Sequence, residues 1–347
     1  MSAAGGWFRD AWIGQPRQDV RMSATQANTA AAAQDLILAI DIGGTKMAIG
    51  LVDSDGNATH VDRTPSPANQ RGDAMWDALN RLLDSVLASA GNPAIVGIGV
   101  GCAGPMIWPE GIVSPTNIIG WRDFPLRRKL EERFNGVPVR LHNDAICMAI
   151  AENWKGAAAG HQNALGMVVS TGVGGGLIVD GRLLDGGFGN AGHIGHIVID
   201  PAGPACRCGG RGCLEAIARG PATVAWAVEE GWTPHTAGAA LDGKTLADDA
   251  RAGDQIAIEA FRRAGNAVGV GLASAAALLD LDIAVIGGGL VQSGDLLMTP
   301  IRQAFQEHAG MTFVKRMKIV PAELDQLAGV VGAAALFADN NRYWAGA

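Results

Sequence analysis

Cysteine is scarce in this chain, with five in 347 residues, and three of the five fall between positions 206 and 213. So few, so clustered, do not make a disulfide framework. Positive charge is not in excess either. Lys and Arg number 27 against 34 Asp and Glu, a net charge of -7, so no basic field points to nucleic acid or to an anionic membrane. Long uncharged apolar runs are missing as well. The most apolar stretch, GVGLASAAALLDLDIAVIGGGL, contains Asp280 and Asp282, which argues against a membrane span. Arg9 and Asp10 interrupt what could have been the apolar centre of a secretory signal. A cytoplasmic protein is expected, with no nucleic acid and no membrane among its partners. Residues 1–34 are rich in Ala, Gln and Ser without periodicity. They read as a disordered tail, too short for a DNA-binding domain, and Met22 is an alternative start.

What the chain does have is 48% hydrophobic residues and 18% charged ones, enough for a large core and two domains. LILAIDIGG (36–44) reads as a buried strand ending in glycines, and KMAIGLVDSDGN follows at once as a second strand with a turn at Asp55-Gly56. ALGMVVSTGVGGGLIVDGR (164–182) repeats that logic: strand, Gly/Thr turn, strand, and a turn at Asp180-Gly181. The two copies read as an internal repeat and hence as two related α/β domains. Between them come a helix over 73–90, the strand AIVGIGVG, a helix near 125–134, a strand over 137–144 and the helix AICMAIAENWKG. Later segments 213–230, 254–279, 295–308 and 326–338 read as helices, and 282–290 as a buried strand with its own glycine turn.

GVGCAG (99–104) matches the dinucleotide pattern Gly-x-Gly-x-x-Gly, but Pro105 and Pro109 follow and no helix opens there, as that pattern requires. The paired turns DIGGTK and STGVGGG are different. Their glycines let backbone N–H groups approach an anion, Thr45 and Thr171 add hydroxyls, and Asp41 at the strand end offers a carboxylate to Mg²⁺. Two such loops facing each other would grip a triphosphate. Cys206, Cys208 and Cys213 lie near two histidines, His193 and His196. Three thiolates and one imidazole suit tetrahedral Zn²⁺ with no open position, and hence a structural ion; either histidine could be the fourth ligand. Asn143 and Asp144 stand where a strand gives way to a helix. They read either as a helix cap or as a catalytic carboxylate with its neighbour.

Together these stretches resemble the ROK family of sugar kinases and related repressors, in the hexokinase/actin superfamily, over roughly 36–340. LAIDIGGTKMAIGLVDSDG is similar to its first phosphate loop and STGVGGGLIVDG to its second, with Ser170 where Gly is commoner. GPMIWPEGIVSPTNIIGW resembles its sugar-side segment, HND its catalytic strand end, the AGHIGH and CRCGGRGCLEA segments its zinc signature, and IGGGL its adenosine loop.

The resemblance implies an α/β fold of two actin-like, ribonuclease H-like domains with a cleft between them. The first would take 35–142 plus 326–347, and the second 143–325 with a zinc loop at 193–215. It implies Asp144 as general base and a sugar site of Gly104, Asn117, Asn143, Asp144, His193, His196 and Glu215. Phosphates and ATP would meet Asp41, Gly43, Gly44, Thr45, Lys46, Thr171, Gly172, Gly174, Gly288 and Gly289. Mg²⁺ would accompany ATP at Asp41, structural Zn²⁺ would sit on His196, Cys206, Cys208 and Cys213, and a homodimer or homotetramer is expected. The expected reaction is ATP-dependent phosphorylation of the 6-hydroxyl of glucose or a close relative; polyphosphate is an alternative donor. An amino-sugar kinase, acting on a 3-amino-glucose or an N-acylhexosamine, is the rival reading. A sugar-responsive repressor and a non-catalytic sugar-binding protein stand further off. One departure bears on the substrate. The family's Glu-x-Gly-His reads His-Ile-Gly-His here, so His193 replaces a carboxylate that normally meets sugar hydroxyls.

Overall fold

The apolar run after position 35 becomes the central strand that its composition demands. In β1 (Leu36–Ile42), Leu38, Ala39, Ile40 and Ile42 are completely buried, as a strand covered on both faces requires. The computed structural model describes residues 35–70, 73–338 and 341–346; the tail expected at 1–34 lies outside them. β2 (Lys46–Val52) turns back antiparallel on β1, and β3 (Ala58–Pro65) pairs antiparallel with β2. α1 (Ala74–Ser89) leads to β4 (Ile95–Cys102), which runs parallel to β1 on its other side. A small sheet of β5 (Met106–Ile107), β6 (Ile112–Val113) and β7 (Phe124–Pro125) follows. Then come α2 (Leu126–Arg133), β8 (Val139–Asn143) parallel to β4, and α3 (Asp144–Lys155).

The second half repeats the plan. β9 (Ala164–Val169) and β10 (Val173–Val179) form an antiparallel hairpin, and β11 (Arg182–Leu183) extends it. An excursion of helices follows: α4 (Leu214–Ala218), α5 (Gly220–Glu229), α6 (Gly243–Arg251) and α7 (Gln255–Leu279). β12 (Ile283–Gly287) then returns parallel to β9, α8 (Asp295–His308) crosses over, β13 (Lys318–Pro321) runs parallel to β12, and α9 (Ala328–Ala335) closes the fold. The two sheet orders, β3-β2-β1-β4-β8 and β11-β10-β9-β12-β13, are the same topology with the same strand directions. The repeat read from two glycine turns is therefore a repeat of whole sheets. Both sheets lie in one compact unit, 35–347, and no helix among the described residues is long and apolar enough to cross a membrane.

Two helices join the halves. One face of α9 packs Val330, Ala333 and Ala334 on Ile37, Ala39, Ala48 and Val52 of the first sheet. Its other face puts Val331 and Ala335 with Ile146 and Ile150 of α3. The helices approach so closely that Gly332 rests on the Cys147 backbone, where a Cβ would collide with the carbonyl. On the far side of α3, the strand glycines Gly166 and Gly176 leave room for Ala149 and Ile146.

The helix expected over 213–230 is two helices. Arg219 between them is extended at ψ 147°. The N–H of Gly220 goes to the Ser170 carbonyl at 2.7 Å, and Pro221 has no N–H to give back to α4. The helix expected over 326–338 shortens to Ala328–Ala335 behind a 3₁₀ turn at Asp325–Leu327. β3, β13 and α6 went unread. β3 is largely exposed and β13 has four residues, so neither carries a clear apolar period.

The Gly332 contact is testable. Gly332→Ala adds one methyl group where two backbones already touch, and should cost about 1–3 kcal/mol of stability in urea unfolding. An unchanged midpoint would mean that the two helices can move apart freely.

Candidate active site

The C-terminal ends of parallel strands in an open α/β sheet leave their terminal side chains facing a crevice. Here β1 delivers Asp41, β8 delivers Asn143 with Asp144 just beyond, and the β9–β10 hairpin delivers Ser170 to Gly172. All of them line a cavity of about 730 Å³ whose wall comes from both halves of the chain. Lys46, Gly104, Asn117, Gly174, His193, His196, Cys208, Glu215 and Gly288 share that wall. A neighbouring cavity of about 800 Å³ carries Gly289 and shares Ser170 and Thr171 with the first. Three expected phosphate residues are not on either wall. Gly44 lies behind Asn117, whose side chain fills the space that a Cβ would need, and Thr45 is exposed on the turn with Gly43 before it. Gly288 has φ +100° against the Val169 backbone, a conformation and a proximity that only glycine tolerates.

Both sequence readings of Asn143 and Asp144 hold at once. Asn143 is the N-cap of α3, its Oδ1 accepting the Ala145 N–H at 3.0 Å. Asp144 accepts the same N–H at 2.8 Å with one oxygen. Its carboxyl stands above the ordinary carboxylate range because burial outweighs that hydrogen bond. Asp41 is pushed up to about 7, first by burial and then by the charge of Asp144, with Lys46 and Arg63 opposing. Its carboxylate has no hydrogen-bond partner among the described residues.

A support that the sequence did not advertise sits directly behind. His142 is fully buried. Its Nδ1 accepts the Asn143 N–H at 2.9 Å, which assigns the proton to Nε2, 3.1 Å from Asp185 Oδ1. Trp108 and Trp344 lie beside the ring, centroids 5.8 and 6.5 Å away. Only adjacency to Asn143 could have pointed to this residue, and Asp185 lies 43 positions away.

Glu215 opens α4, and its Oε2 accepts the Val173 N–H at 2.9 Å. It thereby ties the Gly172 hairpin to the cysteine loop. In that loop one ligand atom each from His196, Cys206, Cys208 and Cys213 lies within 4.8 Å of the others, a donor set for a tetrahedral soft cation. The Gly210 N–H draws the Cys208 thiol below its usual range, while burial pushes Cys213 up to about 12. His193 is outside this set, so the choice between the two histidines falls on His196. The His193 ring lies 6.2 Å from that of His196 and faces the cavity. Its Nδ1 is enclosed without a hydrogen bond. Burial, then the neighbouring His196, lowers its basicity, so it is neutral at pH 7. The remaining cysteines, Cys102 and Cys147, are core residues remote from this loop.

Residues 37–340 match the ROK family. A glucokinase of Streptomyces coelicolor is 36% identical over 313 residues, covering 87% of this chain and 97% of that one. An N-acetylmannosamine kinase of Citrobacter koseri is likewise 36% identical, over 299 residues, covering 86% and 97%. Among solved structures, a ROK family glucokinase from Streptomyces griseus in complex with glucose and AMPPNP aligns with a TM-score of 0.76 at 34% identity, covering 87% of this chain and 98% of that one.

Proposed function

This chain belongs to the ROK family, and we propose that its cleft transfers the γ-phosphoryl group of ATP to the 6-hydroxyl of glucose or a closely related hexose, with Asp144 as general base. The protein is a sugar kinase. The observation that carries the mechanism is the meeting, in one cavity, of two strand-end carboxylates with a glycine hairpin that also lines a second lobe.

Phosphoryl transfer asks the protein for position and charge more than for covalent chemistry. The adenosine half of the nucleotide occupies the lobe beside Gly289, and the phosphates run over Ser170 and Thr171 toward Asp144. Asp144 takes the proton of the sugar hydroxyl as that oxygen attacks the γ-phosphorus. Burial makes its carboxylate a stronger base than a solvated one. His142 and the α3 cap hold it in place. Asn117 and Asn143 offer amide donors and acceptors to the ring hydroxyls, and the free oxygen of Glu215 accepts from them. Asp41 fits a Mg²⁺ role, direct or through water, because its carboxylate is unpartnered and faces the cavity; Mg²⁺ there would offset phosphate charge. Zn²⁺ on His196, Cys206, Cys208 and Cys213 would be structural, since four protein ligands leave no open position. It would fix the loop from which His193 and Glu215 reach the sugar.

An amino-sugar substrate, such as an N-acylhexosamine, is the second reading, and His193 favours it. A neutral imidazole accepts one hydrogen bond and donates one. A carboxylate would only accept, and would repel an amide carbonyl. The glucokinase and N-acetylmannosamine kinase relatives are both 36% identical to this chain, so identity alone does not separate the two substrates and this side chain bears on the choice.

Asp144→Asn keeps size and hydrogen bonding but cannot take a proton. It should lower kcat by about 10²–10⁴-fold and leave glucose binding little changed in calorimetry. A kcat within tenfold of the parent would remove Asp144 from the base role. On a panel of glucose, N-acetylmannosamine and 3-amino-glucose, His193→Glu should shift the ratio of kcat/KM values toward glucose. A fixed ratio would show that His193 does not select. Metal analysis should find one zinc per chain, and Cys208→Ser should lose the zinc and sugar affinity together. Sugar affinity surviving in a zinc-free variant would sink the structural role.

A further inference from the structure

Between α4 and α5 the chain sets a single residue, Arg219, in extended backbone. That backbone is pinned from three sides. Its N–H donates to the Glu215 carbonyl at 3.2 Å. Its own carbonyl accepts from the N–H groups of Ala222 and Thr223 at 2.9 and 3.0 Å, and the next N–H, of Gly220, is held by Ser170. The side chain is half-buried on the wall of the 730 Å³ cavity, while the following residues, Gly220 and Pro221, line the 800 Å³ lobe. Arg219 therefore stands at the seam between the two, beside the hairpin residues that belong to both.

The guanidinium has no partner: among the described residues it makes no hydrogen bond and no ion pair. The other cations on these walls differ. Lys244 and Arg251 are committed to Asp248 at 2.8 and 2.9 Å. Lys46 and Arg207 are exposed and solvated. A guanidinium stays charged at all working pH values, and leaving it half-buried and unpaired has a desolvation cost. A ligand anion removes that cost. The planar fork of donors matches phosphate oxygens two at a time, and a phosphate chain passing from one lobe to the other crosses this seam. The β9–β10 hairpin supplies N–H groups at this seam but no formal positive charge.

We propose that Arg219 is a phosphate-binding residue of the kinase, contacting the polyphosphate chain of the nucleoside triphosphate where it enters the catalytic lobe. The assignment rests on the kinase reading and adds to it a residue outside the glycine loops.

Calorimetric titration of the full chain with Mg²⁺-ADP and, separately, with adenosine tests it. In the parent, ADP should bind more tightly than adenosine. Arg219→Gln should weaken ADP by about tenfold or more, the loss expected for hydrogen bonds to a charged group. Adenosine and glucose affinities should stay unchanged, Arg219→Lys should recover part of the ADP affinity, and the KM for ATP should follow. An ADP affinity that falls less than about twofold overturns the assignment. So does an equal loss of adenosine, which would mean that the substitution only disturbs the α4–α5 break. A parent chain that binds neither nucleotide would overturn the kinase reading itself, an outcome distinct from parental ADP binding that Arg219→Gln leaves intact.

Discussion

The burial of α3 sets the geometry on which the rest of the structure depends. Nine consecutive residues, Ala145 to Asn153, are buried, so this helix has no wet side and cannot rotate or slide without opening the core. α9 covers one face and β9 and β10 the other, through glycines on both sides. A helix fixed that tightly fixes its first residue, and that residue is Asp144. Its far end is secured by a charge. Glu152 is fully buried and accepts the N–H groups of Ala157, Glu323 and Leu324 at 2.8, 3.1 and 2.9 Å, which satisfies the carboxylate without a cation. The chain so anchored runs on into Asp325 and Gln326, which line the same cavity as Asp144. The helix thus holds both walls of the site through backbone contacts.

The electrostatics of the cleft follow from that enclosure. Asp41 and Asp144 come from the ends of β1 and β8, two strands of one sheet with β4 between them, and face each other's charge in a poorly solvated place, so burial raises both and the charge of Asp144 raises Asp41 further. Alone, the pair is unstable as two anions; a divalent cation at Asp41 would offset their charge. Arg219 has the complementary problem, a cation with no anion. A cleft with uncompensated charges of both signs is built for a ligand that carries both, and a nucleotide with its metal does so. The cysteine loop meets a different need: rich in glycine and poor in apolar side chains, it has little core of its own, and a four-ligand metal site would hold it where packing cannot.

Much of this was legible along the chain because it is local. Strand β1 showed in six apolar residues of seven and the hairpins in glycine pairs. The cysteine loop showed in three cysteines within eight positions. The repeat of two hairpins foretold two sheets of one topology, since strand order follows from the same right-handed connections each time. Asn143 and Asp144 were legible as a strand end but not as one role or the other. Composition cannot say whether a carboxylate at a helix start faces solvent or a cleft.

What the sequence determined by itself was most of the elements, the family, and the groups able to carry charge or ligate a metal, because these depend on residues adjacent in the chain. Tertiary structure decided the rest. His142 and Asp185 meet only once β8 and the loop after β11 pack together. Arg219 becomes a cavity residue where Pro221 ends α4 and Ser170 captures the Gly220 N–H at 2.7 Å. His196 rather than His193 meets the cysteines because a 3₁₀ turn, Ile194–His196, separates the two imidazoles and brings only that of His196 within 4.8 Å of the three thiols. In each case the deciding contact joins residues far apart in sequence or a turn of backbone that no side-chain period encodes, and such contacts have no free energy until the core has formed around them.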